Sequence, residues 1–164
     1  MTGHPNVSSK IAGFRMIHRL KERVSSSSRI SPAVRSQMMR SIRKTNTGPE
    51  RTVRRLIREL GYRYRLNARD LPGSPDIIFR AKRIAIFVHG CFWHQHEKCR
   101  LAKLPTARPE YWIPKLQRNK QRDQHALSAL VALGWTVLVV WECEQQHEQR
   151  LKRKLAKFLR CGLD

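Results

Sequence analysis

Two short apolar runs constrain this chain more than any other feature: IAIFV at residues 84–88 and VLVVW at 137–141. Both have strand length and are rich in β-branched residues. No run in the sequence approaches the roughly 18 apolar residues that would span a bilayer, so no membrane partner is expected. Around these runs the pattern reads as helix, three strands, helix, strand, helix. That order predicts an α/β domain with a mixed central sheet flanked by helices.

The first helix is written in TGPERTVRRLIRELG (47–61), with Thr47 as N-cap, Glu50 three residues later as in a capping box, and Pro49 in the first turn. Val53, Leu56, Ile57 and Leu60 form its apolar stripe, and Gly61 is a natural stop. YRYRL (62–66) alternates like a strand, and LPGSPDIIF (71–79) enters a second strand after a turn. RAKR makes a tight connection into IAIFV. A helix is expected from about Pro109 to Leu133, with Leu127, Leu130 and Val131 as its inner face, and the tail EQRLKRKLAKFLRC reads as a basic amphipathic helix. Residues 1–35 carry VSSSSRISP and a single acid, Glu22, and read as a flexible basic extension preceding a domain over 36–164.

Of 164 residues, 34 are Lys or Arg and 12 are Asp or Glu, giving a formal net charge of +22. Charge of that size says nothing about fold but favours a polyanionic partner, with nucleic acid the default. The N-terminus lacks an apolar signal-peptide core, so a cytoplasmic setting, nucleoid-associated through DNA, is expected and disulfides are not.

The third strand runs directly into HGCFWHQHEKC, residues 89–99. Cys91, His96 and Cys99 are spaced C-x4-H-x2-C, close enough to converge on one tetrahedral zinc ion. A fourth ligand must come from elsewhere. Cys143, at the end of the last strand, is a better candidate than Cys161 on the helical tail. His89 and His94 remain, and an imidazole on this loop can move protons near neutral pH. Asp76 opens the apolar PDIIF, where an unpaired carboxylate is costly to bury, and it suits a Mg²⁺ ligand beside a phosphate. Glu50 could add a second carboxylate through water, although its capping role is sufficient reason for its presence. Phe92 and Trp93, beside a basic surface, suit wedges that open a duplex, with Trp112 in PEYW as a third. Tyr111 reads as core packing. Lys115 and Asn119, one turn apart, are candidates for facing DNA or merely solvent.

LPGSPDIIF, IAIFVHGCFWHQHEKC, PTARPEYW and GWTVLVVWEC together resemble the very short patch repair (Vsr) endonucleases, within the PD-(D/E)xK restriction-endonuclease-like superfamily. The resemblance covers about residues 36–144. It implies a restriction-endonuclease-like fold with a structural zinc, and an enzyme that nicks double-stranded DNA beside the mispaired thymine of a T·G mismatch with Mg²⁺. Asp76 then matches a Mg²⁺ ligand, with Val88 serving the metal through its main-chain carbonyl. His94 and Glu50 match active-site residues, and Cys91, His96, Cys99 and Cys143 match the zinc ligands; His89 is a further catalytic candidate from the loop itself, or a core histidine bonded to backbone. Met39, Phe92, Trp93 and Trp112 match DNA-contacting positions, while Lys115 and Asn119 stay candidates from their place on the helix. Two departures stand out: Val88 where the family often has Thr, and one extra residue between Cys91 and Cys99. A monomer is expected, with mismatch-repair proteins as further partners. A same-fold nuclease with another trigger, or a zinc-stabilised DNA-binding module without catalysis, are the alternatives.

Overall fold

The computed structural model describes residues 45–106 and 108–161. The expected arm over 1–35, the segment carrying Met39, and the side chain of Cys161 lie outside that range. The order is α1 (Gly48–Glu59), β1 (Arg65–Leu66), β2 (Ile77–Phe79), β3 (Ile84–His89), α2 (Pro109–Ala132), β4 (Thr136–Trp141) and α3 (Glu148–Cys161). The four strands form one sheet in the order β1-β2-β3-β4. β1 and β2, then β2 and β3, pair antiparallel, while β3 and β4 pair parallel across the α2 connection. A mixed sheet between helices is what the pattern predicts.

Both apolar runs are continuous because the sheet is covered on both faces. Ile84 and Ile86 of β3 and Val140 of β4 join Val53, Leu56 and Ile57 of α1 and Leu151, Leu155 and Leu159 of α3. The alternate residues Ala85 and Phe87 of β3 pack with Leu130 of α2, and Val137 and Val139 of β4 lie against them. The strand period of two thus assigns α1 and α3 to one layer and α2 to the other.

The α1 capping box is formed at both ends, Thr47 to Glu50 and back. RAKR closes through a short 3-10 turn with Arg83 in the left-handed region (φ 49°). Three expectations need correction. YRYRL pairs only at Arg65 and Leu66, both exposed, because one neighbouring strand is all it meets. The helix ends at Ala132, and Val131 is 62% exposed. Leu130 and Val131 both follow Leu127 at helical spacing, and only Leu130 points into the sheet. Tyr111 is 46% exposed rather than core. Adjacent helical residues point about 100° apart, and Trp112 takes the inward side.

One close approach fixes the layers. Gly73, with φ of +73°, sits in the turn before β2, where an added Cβ would lie 2.6 Å from the Cβ of Ala126 in α2. Only glycine fits there.

Candidate functional site

Antiparallel pairing of Ile77 with Ile86 carries Asp76 to the edge of β3. There the Val88 N–H donates to Asp76 Oδ2 at 2.8 Å. The carboxyl is pushed up to about 6, first by burial and further by the nearby Glu50, against the opposing pull of the Val88 N–H, Arg54 and His94. Glu50 itself is 3% exposed. Its Oε1 accepts from the Thr47 N–H and hydroxyl, and its Oε2 from the Asn46 N–H and from Arg54 Nη2 at 2.6 Å. All four lone-pair directions are taken, so Glu50 acts on Asp76 through its charge rather than by direct ligation.

β3 ends at His89, which pairs in register with Trp141 of β4. Burial, then the neighbouring His94, holds the His89 imidazole down at about 4, so it is neutral near pH 7. His94 stacks on it at 3.9 Å between ring centroids, 9° from parallel. On its other side His94 Nδ1 lies 2.6 Å from Asp123 Oδ2 in α2. An Nδ1–H donated to that carboxylate leaves Nε2 as the lone-pair nitrogen, available to take a proton. His89, His94 and Asp123 lie close enough together to hold a metal ion. Asp123 was not a candidate from sequence.

The same loop folds the other way at Cys91, His96 and Cys99. With Cys143 from the turn after β4, their ligating atoms all lie within 4.8 Å of one another, and the group could hold a metal ion. His96 Nδ1 is 3.6 Å from Cys91 Sγ and 3.4 Å from Cys143 Sγ. The His96 ring stacks on Trp141 at 4.2 Å. Burial pushes the Cys91 thiol up to about 12 and raises Cys143, whereas the Leu101 main chain lowers Cys99. A thiol as high as Cys91 needs a cation beside it to ionise at neutral pH. Gln95 and Lys98 take positive φ, so the loop is coiled tightly around these donors.

Beyond the loop, the aromatics form one half-exposed cluster. Phe92 meets Trp93 at 5.0 Å and Trp112 at 5.4 Å, in edge contacts. Lys115 Nζ lies 5.3 Å from the Trp112 ring, 5.7 Å from Trp93 and 5.0 Å from Tyr111, and donates to the Tyr111 hydroxyl at 2.9 Å. Asn119 Nδ2 donates to the Trp93 carbonyl at 3.1 Å, and Arg122 donates to its Oδ1. Asn119 therefore ties α2 to the aromatic loop in this conformation.

A protein-family model described as DNA mismatch endonuclease Vsr matches residues 28–100. The type II nicking enzyme V.XorIIP of Xanthomonas oryzae pv. oryzae is 48% identical over 131 residues, covering 80% of this chain and 96% of that one. This chain belongs to the Vsr family. DNA mismatch endonuclease Vsr of Escherichia coli is 41% identical over 135 residues, covering 79% of this chain and 85% of its own length. The type II nicking enzyme V.NmeAIP of Neisseria meningitidis is 34% identical over 126 residues. The molecule is accordingly a DNA endonuclease, a hydrolase of the Vsr type, and DNA is its partner. No helix among the described residues is long and apolar enough to cross a membrane.

Within this Vsr-family site, the structure brings together Asp76, Val88, Glu50, His89 and His94, with Arg54 and Asp123 added. The four metal-type ligands converge as a second group. Phe92, Trp93, Trp112, Lys115 and Asn119 form a third.

Proposed function

We propose that this endonuclease nicks double-stranded DNA beside the mispaired thymine of a T·G mismatch, by Mg²⁺-dependent phosphodiester hydrolysis, on a restriction-endonuclease-like scaffold. The observation that carries the reading is the placing of the Asp76 carboxylate within the electrostatic reach of His94, itself paired with Asp123, at the end of the central strand β3. The relatives named as nicking enzymes support a single-strand cut.

The donor chemistry fits both metals. Asp76 is a hard oxygen raised by burial beside Glu50, a situation that a divalent cation relieves. Asp76 and the main-chain carbonyl of Val88 would hold Mg²⁺. When bound, Mg²⁺ supplies charge neutralisation at the scissile phosphate and lowers the pKa of water there. Zinc–sulfur bonds of about 2.3 Å and zinc–nitrogen bonds of about 2.0–2.1 Å at a tetrahedral angle set S and N about 3.6 Å apart. The distances at His96 are 3.6 and 3.4 Å, so Cys91, His96, Cys99 and Cys143 fit a structural Zn²⁺.

The chain's own groups do the rest. His94 Nε2 takes or returns the proton, with Asp123 fixing the ring through Nδ1. The neutral His89 ring supports the His94 ring from below. Phe92, Trp93 and Trp112 offer apolar faces to a distorted base step, where unstacking costs least at a mispair. Lys115 and Asn119, with Met39 in the segment before α1, contact the duplex. A monomer acting in the cytoplasm on nucleoid DNA, alongside mismatch-repair proteins, suffices for such a cut.

The test is a nicking assay with Mg²⁺ on two labelled duplexes that differ only by one T·G pair. A single nick beside the mismatched thymine, absent without Mg²⁺, supports the reading. Equal cutting of both duplexes removes the mismatch requirement.

A further inference from the structure

We infer that the outer face of α3 is a second DNA-binding surface, which holds duplex phosphate backbone outside the cleavage site. Leu151, Leu155 and Leu159 bury one side of the helix in the core. Arg150, Arg153, Lys157 and Arg160 follow the complementary helical spacing, and all four are exposed. Ten residues of helix rise about 15 Å, so the stripe is a line of cations each about one helical turn apart.

What separates this stripe from an ordinary solvated face is where the neighbouring acids go. Glu148 and Glu59 are both held by Arg55, at 2.6 Å each. Glu59 also binds Lys152 at 2.8 Å, and Glu144 binds Lys154 at 2.7 Å. These three carboxylates are thus occupied by cations at the flanks of α3 or on α1. Among the described residues, none of the four cations of the stripe has an ion-pair partner. Leaving four like charges aligned on one face is unfavourable unless a polyanion meets them. Duplex DNA, with a negative charge per roughly 1.7 Å of axis, is the polyanion this enzyme works on.

The stripe belongs to the layer opposite the one that Leu127 and Leu130 of α2 join, and Trp112, Lys115 and Asn119 lie earlier on that same helix. A duplex seated on the aromatic cluster leaves it free for a further stretch of backbone. Such a contact is independent of sequence and mismatch, and serves capture and transfer along DNA rather than the cut. The inference requires that the enzyme act on DNA, not that its trigger be a T·G pair.

The experiment uses the full-length protein and the variant R150Q/R153Q/K157Q/R160Q, with R150K/R153K/R160K as a charge-keeping control. Matched-duplex affinity is measured by fluorescence anisotropy across a KCl series. Wild type and the lysine variant should share one slope of log K against log salt, and the glutamine variant should be shallower by about 3.6, near 0.9 for each of the four lost phosphate contacts. Single-turnover nicking at saturating enzyme should be unchanged in all three, which separates this result from any failure of the cleavage reading. Two DNA lengths identify the source. If a short duplex that the cleft fills loses a second bound copy in sedimentation, the stripe holds a separate duplex. If the change is confined to a much longer duplex bound one per protein, it holds the flank of the same one. An unchanged slope in the glutamine variant overturns the inference and leaves an acidic protein surface as the occupant. A fall in the saturating nicking rate overturns it too, because the stripe would then act at the cut.

Discussion

Two clusters share one loop and differ in kind. Cys91, His96 and Cys99 turn to one side of it and meet Cys143, so that soft donors face each other and are complete at four. His89 and His94 turn to the other side and meet Asp123, near Asp76, where the donors are hard or titratable and each already has a partner. The first is the pattern of a closed structural metal centre, the second that of an open reactive one. On the proposed function, a segment this short can serve both because a metal in the closed cluster would fix the loop that the open one needs rigid.

That contrast can be broken at several points. The largest effect belongs to Asp76→Asn, which should cut the nicking rate on the order of 10³-fold while duplex binding persists. Cutting at the wild-type rate would remove Asp76 from the reactive cluster. On the closed side, Cys143→Ser should abolish stoichiometric metal and lower Tm by about 10 °C or more, measured by metal analysis and calorimetry. Cys161→Ser should change neither, and the reverse pattern would move the fourth ligand to the tail. Asp123→Asn should slow nicking by roughly 10²-fold with metal content intact, and should alter the pH–rate profile, which a purely structural role would leave alone.

The smallest effect sharpens the open side. Asp76 ordinarily titrates near 3.8 and is raised to about 6 in the fold. The folded chain therefore keeps a proton that the unfolded chain has lost, and stability without Mg²⁺ should fall as pH rises from about 4 to about 6, by on the order of 1 kcal/mol for this half-buried group. Added Mg²⁺ should remove that decline. Denaturant melts at three pH values would show it, and a flat profile without metal would mean that burial does not govern Asp76.

Features written locally were legible in the sequence. The capping box of α1, the two core strands and the C-x4-H-x2-C spacing each rest on residues a turn or a loop apart, so neighbours in sequence are neighbours in space. Cys143 was within reach because strand ends in a sheet tend to meet. Asp123 was missed because it lies 29 residues from His94, a distance no local spacing encodes. One signal was present: Asp123 falls on the stripe with Leu116, Asn119, Leu127 and Leu130, a carboxylate on an inward-facing line. Tyr111 was misjudged for a related reason. Its hydroxyl found Lys115 at the rim, and an aromatic ring with such a partner has no need of the core. The ion pair of Arg54 with the capping Glu50 is an i,i+4 contact in principle readable, yet nothing in the pattern shows that it sits beside Asp76.

The turn at Gly73 carries the chain toward Asp76, and the helix it touches at Ala126 carries Asp123. Their contact has no side chain in it on the turn's side. A methyl group at that point would act as a shim, easing two jaws apart while each kept its own tooth. The spacing between the strand that follows Asp76 and the helix of Asp123 is therefore gauged by a residue that contributes no chemistry, and its width is set by what Gly73 does without.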